Sequence, residues 1–163
     1  MSKFTHLDSS GHVRMVDVTE KKPTLRTAVA QGIVRLSAEP FERIFEQRVQ
    51  KGNVLETARI AGIMAAKKTA ELIPMCHPLN ITHAAVDFFP DPAAHSIHVE
   101  ATVRIIDQTG IEMEALTAVS VACLTIYDMC KSYDKSISIS DIYLLKKTGG
   151  KSGTFVRKDP SRQ

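Results

Sequence analysis

From Ile97 to Ile105 the chain alternates: Ile97, Val99, Ala101, Val103 and Ile105 fall on one side, His98, Glu100, Thr102 and Arg104 on the other. A period of two predicts a strand, here Ile97–Asp107, with one buried face. Leu25–Leu36 alternates and is rich in β-branched residues, which predicts a long first strand. Ile81–Phe89 predicts another, joined to the alternating strand through Pro90-Asp91-Pro92, and Ser136–Lys147 a last one that ends at Gly149-Gly150. Ser37 can cap a short helix over Pro40–Gln50, with Glu39 and Glu42 near its positive end. Lys51-Gly52 breaks that helix. Asn53 followed by Glu56 resembles a capping box opening a second helix, Val54–Leu72. Its Ala58, Ala61, Gly62, Ala65 and Ala66 suit close approach to another backbone. Ile73–Leu79 is a loop punctuated by Pro74 and Pro78.

The pattern changes again in Gly110–Lys131. Ala115–Tyr127 carries no charge, while Glu112 and Glu114 precede it and Asp128 and Lys131 follow it. A surface helix would spread charge along one face. Glu112–Ser132 is therefore expected to be buried over most of its length, with ionisable groups at its two ends. Asp128 lies near the C-terminus of the helix, where the macrodipole disfavours an acid. Helix stability does not explain its position.

The order strand, helix pair, strand, strand, helix, strand is the split βαβ arrangement of an α+β, ferredoxin-like fold, with an extra helix in the first crossover. The sheet is expected to be antiparallel, with helices on one face. Its other face needs a cover, most simply a second subunit. Residues 1–14 read as a flexible N-terminal arm, 15–153 as one domain and 154–163 as a loose tail.

Composition narrows the class. The chain has 163 residues, 44% of them hydrophobic, enough for one core. No charge-free apolar run reaches the roughly 18 residues of a membrane span. The N-terminus lacks the charged-then-apolar pattern of a signal peptide. Cys76, Cys123 and Cys130 are an odd set in a long chain, which fits reduced thiols and a cytoplasmic protein. A net charge of +3 does not by itself argue for nucleic acid. No internal repeat or low-complexity segment occurs.

Several groups can carry chemistry. Asp128 and Lys131, three apart on one helix face, can form an acid–base pair or a plain helical ion pair. Glu112 and Glu114 stand at a helix N-terminus, where acids are favoured without any catalytic duty. Glu114 and Asp128 are fourteen residues apart, roughly 21 Å along a helix, too far for one small-molecule site within one chain. A site using both must be long or must cross a subunit interface. His77 is presented by a proline-stiffened loop and can carry a proton or hold a ligand. Adjacent Cys76-His77 is not a chelating spacing, and no CxxC or HxxxH occurs, so no metal site is predicted. Lysines gather at element ends: Lys51, Lys67, Lys68, Lys131, Lys146, Lys147 and Lys151. Brought together they would bind a polyanion, and crowding would lower the pKa of one of them. Gly149–Gly153 is not a P-loop, because the first glycine of GxxxxGK[ST] would fall on Leu145 and no helix can follow. Cys123 and Cys130, seven apart, are expected in the core.

The segments KKTAELIPMCHPL (67–79), GIEMEALTAVSVACLTIYDMCK (110–131) and LLKKTGGKSG (144–153) together resemble the cyclic pyranopterin monophosphate synthases of molybdenum cofactor biosynthesis. MVDVTEK (15–21) and KGNVLETARIAGIMAAKKT (51–69) extend the likeness, which runs from about Met15 to Gly153. The resemblance implies a lyase that converts (8S)-3′,8-cyclo-7,8-dihydroguanosine 5′-triphosphate to cyclic pyranopterin monophosphate and pyrophosphate. It implies a ferredoxin-like fold and a homohexamer, a trimer of dimers with the active site at a dimer interface. Asp128, Lys131 and Lys51 carry over as catalytic. Met75, Cys76, His77, Met113 and Glu114 carry over as substrate-binding, with Glu112 and Lys67 beside them and Arg26 and Lys147 reaching the phosphates. No cofactor is required, although Mg²⁺ can accompany the triphosphate. No nucleic acid or membrane partner is implied.

Two other classes compete. A ferredoxin-like regulatory module could hold a nucleotide without chemistry. RNA could bind the open sheet, but such sheets display aromatics on central strands. Here Phe88 and Phe89 are consecutive at a strand end and there is no Trp.

Overall fold

The structure is a computed structural model and describes residues 10–158. Its elements run β1 (Thr24–Arg35), α1 (Ala38–Phe45), α2 (Val54–Lys67), α3 (Thr69–Leu72), β2 (His83–Asp91), β3 (Ser96–Asp107), α4 (Glu112–Cys130), β4 (Ser138–Thr148) and β5 (Phe155–Val156). They build an antiparallel sheet in the order β2-β3-β1-β4-β5. The first four strands have the ferredoxin-like arrangement that the element order predicted. Residues 1–9 of the expected N-terminal arm lie outside the described residues.

The alternation in β3 does what its period requires. Ile97, Val99, Ala101, Val103 and Ile105 are buried under the helices, and Arg104 on the opposite side is exposed. In register beside them, Ala28, Ala30 and Val34 of β1 supply small and β-branched surface to the same core. On the outer face Gln31 donates to the Tyr143 hydroxyl at 2.7 Å, and Arg157 stacks on the Tyr143 ring at 4.1 Å.

α4 lies across β1, β3 and β4, with α2 beside it covering β2. Ala115, Ala118, Val119, Ala122, Cys123, Ile126 and Met129 fill the core. The helix is long and apolar enough to cross a membrane by length and composition, but here it is the helix around which the core forms. Burial in that apolar setting pushes the thiol of Cys123 up to about 12 and that of Cys130 up to about 11, so both stay neutral. The small residues of α2 let the two helices approach closely. A Cβ on Gly62 would sit 2.9 Å from the main-chain oxygen of Ala118.

Local departures from the expected boundaries have local causes. α1 stops at Phe45, because Gln47 turns left-handed at φ 54°. Ser37 stands at the N-cap of α1 without a side-chain cap; its N–H instead donates to Asp134 at 2.9 Å. At Asn53 only half of the capping box forms: its carboxamide oxygen accepts from the Glu56 N–H at 3.1 Å, while the Glu56 carboxylate turns to Arg59. The expected Val54–Leu72 helix breaks at Lys68, where φ is −109°, and the Thr69 hydroxyl bonds back to the Ala66 carbonyl at 3.0 Å. The tail expected to be loose contains β5, whose Phe155 and Val156 pair with Lys147 and Lys146. Apolar, strand-favouring side chains beside an open edge explain that pairing.

Candidate active site

At the C-terminal end of α4, Asp128 sits in the last turn and Lys131 is the C-cap. Lys51 arrives from the turn before α2, which Gly52 closes at φ 98°. Lys131 Nζ lies 2.7 Å from Asp128 Oδ1, and Lys51 Nζ lies 3.3 Å from Oδ2. Lys51 also donates to the Asp128 main-chain oxygen at 2.7 Å, satisfying a carbonyl that the helix end leaves open. The three expected catalytic residues therefore form one cluster, although Lys51 is 77 positions from Asp128 in sequence. All three are exposed, the Asp128 side chain by 59%.

Two ammonium groups on one carboxylate set its electrostatics. The hydrogen bonds from Lys131 and then Lys51 hold the Asp128 carboxyl below its usual range. The same bond raises Lys131 above its usual value. The expectation that crowding would lower a lysine pKa is thus reversed at Lys131. Asp128 stands between the cations, and its charge outweighs their repulsion. Lys131 is held in its charged form.

The N-terminal end of α4 faces a different space, a cavity of about 460 Å³. The 73–79 loop contributes Met75, Cys76, His77 and Leu79; the start of α4 contributes Glu112, Met113 and Glu114; Val16, Val18 and Lys21 wall it from the arm side. His77 Nε2 lies 3.0 Å from the carbonyl oxygen of Val16. A carbonyl can only accept, so Nε2 carries the hydrogen and Nδ1 faces elsewhere. Glu114 is 3% exposed. Burial raises its carboxyl to about 7, and the neighbouring charge of Glu112 adds to the rise. Partial burial and the Glu114 charge push the Cys76 thiol up as well, so it is not an activated nucleophile. Both acids stand in the first turn of α4, where any acid is favoured, and in addition Glu114 is buried and Glu112 Oε1 is held 2.7 Å from Lys147 Nζ.

Arg26 and Lys147 stand next to Glu112 around Gly149. Arg26 Nε donates to the Asp107 carbonyl at 2.9 Å and its Nη2 to that of Gln108 at 2.9 Å. Gly149 and Gly150 turn with positive φ directly over it; a Cβ on Gly150 would collide with the guanidinium. The turn that resembled a P-loop thus packs on an arginine. Lys67 lies apart from the main cavity, beside a smaller space behind Glu114. Among the described residues no group of three or more His, Cys, Asp or Glu side chains could hold a metal ion.

The expected site residues therefore divide between the ends of α4. Asp128, Lys131 and Lys51 are at one end; Met75, Cys76, His77, Glu112, Met113 and Glu114 are at the other, flanked by Arg26 and Lys147. The fourteen residues between Glu114 and Asp128 keep them roughly 21 Å apart. Sequence reasoning did not place Val16, Val18 and Lys21 at the cavity, and the one signal it had was that MVDVTEK (15–21) belongs to the likeness.

The MoaC family profile matches residues 15–150. The chain belongs to the MoaC family. Curated MoaC relatives are similar over nearly their whole length. One from Desulforapulum autotrophicum, named cyclic pyranopterin monophosphate synthase, is 65% identical over 156 residues, 96% of each chain. Proteins of the same name from Desulfatibacillum aliphaticivorans and Chloroflexus aurantiacus are 60% and 57% identical, covering 97% and 96% of this chain and 99% and 96% of theirs. The MoaC profile spans every element from β1 to β4, and with them both ends of α4.

Proposed function

We propose that the chain is a lyase of molybdenum cofactor biosynthesis that converts the cyclic dihydroguanosine triphosphate into cyclic pyranopterin monophosphate and pyrophosphate. The family membership and the names of its relatives support this reading. The observation that carries the mechanism is the division of ionisable groups between the two ends of α4. A second copy of the chain, bringing its Asp128–Lys131–Lys51 cluster to the mouth of the first copy's cavity, would complete a site that neither makes alone. A trimer of such dimers is the assembly we favour, and the free thiols support the cytoplasm as its compartment.

In that site the base occupies the 460 Å³ cavity between His77 and Met113, a volume typical of small-molecule pockets. A triphosphate brings about four negative charges, and Arg26 and Lys147 offset them at the rim. Lys147 exchanges Glu112 for a phosphate oxygen. Rebuilding the purine as a pterin requires protons at several ring atoms. Lys131, kept charged by Asp128, donates one, and Lys51 orients Asp128 from the other side. Closure of the cyclic phosphate expels pyrophosphate and depends on positioning and charge neutralisation. Mg²⁺ can accompany the triphosphate, and no resident cofactor is needed.

Pyrophosphate release from the cyclic triphosphate tests this reading. Lys131→Ala and Asp128→Ala should each lower kcat by about 100-fold or more, the usual range for a lost acid–base group. Native turnover by either variant would refute the assignment. Binding without any release by the wild-type chain would instead favour the regulatory module.

A further inference from the structure

A second cavity of about 120 Å³ lies behind the floor of the main one, between the end of α2, α3 and the Pro78-Leu79 corner. Glu114 and Leu79 line both spaces. At about 30 Å³ per water molecule it has room for roughly four. We propose that Glu114 is a catalytic acid for the ring-rebuilding chemistry and that the second cavity connects it to solvent while substrate fills the first. The proposal rests on the substrate assignment made above.

The geometry sets Glu114 apart from the other acids of the site. Asp128 and Glu112 are each ion-paired, whereas no salt bridge reaches Glu114 among the described residues. The charged and titratable groups around it are few. Glu112 on its own helix disfavours ionisation. Cys76 and His77 of the 73–79 loop line the main cavity with it, as does Lys21 ahead of β1. Lys67 at the end of α2 and Glu71 on α3 stand across the second cavity, and both are exposed, so that cavity opens on a wet, charged rim. A buried carboxyl in this setting holds its proton near neutral pH and can give it up to a stronger base.

In the step, the Glu114 O–H bond breaks and the proton passes to a ring nitrogen of the bound base, leaving a carboxylate. Substrate then blocks the main cavity. Water in the second cavity hands a proton from bulk solvent to the carboxylate, restoring the acid. No oxidant or reductant takes part. The two ends of α4 thereby differ in kind: Asp128 and Lys131 hold each other in their charged forms, whereas Glu114 is buried without an ion pair and cycles between acid and carboxylate.

The test is the pH profile of pyrophosphate release by the full chain. In the wild type kcat should fall as pH rises through about 7, where the acid is lost. Glu114→Gln keeps size and neutrality but has no acidic proton; kcat should fall by about 100-fold or more with KM nearly unchanged, and the limb near neutrality should vanish. Glu114→Asp should recover part of the rate, as a merely structural amide or carboxyl would not. Ala70→Leu, which fills the second cavity without touching the first, should lower kcat severalfold, leave KM unchanged and enlarge the solvent isotope effect. A Glu114→Gln enzyme that turns over within about threefold of the wild type, or keeps the limb, overturns the acid. An Ala70→Leu enzyme with native kcat and isotope effect overturns the route. Failure of the wild type to release pyrophosphate would indict the substrate assignment rather than Glu114.

Discussion

Mixing two inactive variants should restore activity. Asp128→Ala removes the cluster at one end of α4, and His77→Ala alters the cavity at the other. Fourteen helical residues between Glu114 and Asp128 span roughly 21 Å, so a small substrate contacts both ends only if they come from different chains. In a two-fold dimer each site then takes its cavity from one chain and its cluster from the other. A mixed dimer of the two variants has one site with both lesions and one with neither. Random pairing at equal amounts makes about half of the dimers mixed, so about a quarter of all sites should be intact. The assay is pyrophosphate release after co-expression of differently tagged variants, with tandem purification to verify mixing. Wild type co-expressed with the Asp128→Ala/His77→Ala double variant is the control. Shared sites predict about a quarter of full activity, whereas sites contained in one chain predict about half. Mixed oligomers no more active than either parent would refute the shared site.

Two predictions concern the scaffold. Gly62→Ala gains about 1 kcal/mol of helix propensity but puts a Cβ 2.9 Å from the Ala118 oxygen and 3.0 Å from Val86, an overpacking cost of about 1–3 kcal/mol. A fall in Tm of about 2–4 °C per net kcal/mol is expected by calorimetry, and a rise would show that α2 and α4 have slack between them. Asp134 accepts hydrogen bonds from Ser37 N–H and from the N–H and hydroxyl of Ser136, which lower its carboxyl to about 2. Its stabilisation is therefore fully present above the unfolded value of 3.8 and is lost as pH falls towards 2. Asp134→Ala should lower Tm at pH 7, with the gap closing in acid; a gap that stays constant down to pH 3 would count against those bonds.

Sequence made the architecture legible where one interaction dominates. The period of two in β3 and the charge-free centre of α4 are each imposed by burial in the one core, and both were readable directly. The break at Lys68 was not, because it depends on whether Thr69 bonds backwards, and a continuous run of helix formers hides that choice. The half-formed box at Asn53 has a similar cause: Arg59 competes for Glu56. At the site, residue types at the ends of α4 signalled chemistry, and the impossibility of joining them in one chain followed from helix rise alone. The Lys51 contact and the bond between Val16 and His77 bridge 77 and 61 positions, distances across which local pattern carries no information. Asp128 and Lys131 were visible as neighbours, but that a second ammonium, Lys51, shares the carboxylate was not.

The close packing of α2 on α4 has a further consequence. Lys51 sits just ahead of α2, and the chain leaves that helix through α3 towards His77, so the two antiparallel rods together act as a beam with a working group mounted at each tip. With only small side chains between them, neither rod can shift alone. A bulky substitution at Ala58 or Gly62, in contact with no substrate, would tilt the beam and misalign both tips at once. In kinetics it would look like damage to two distant residues from one change in the middle.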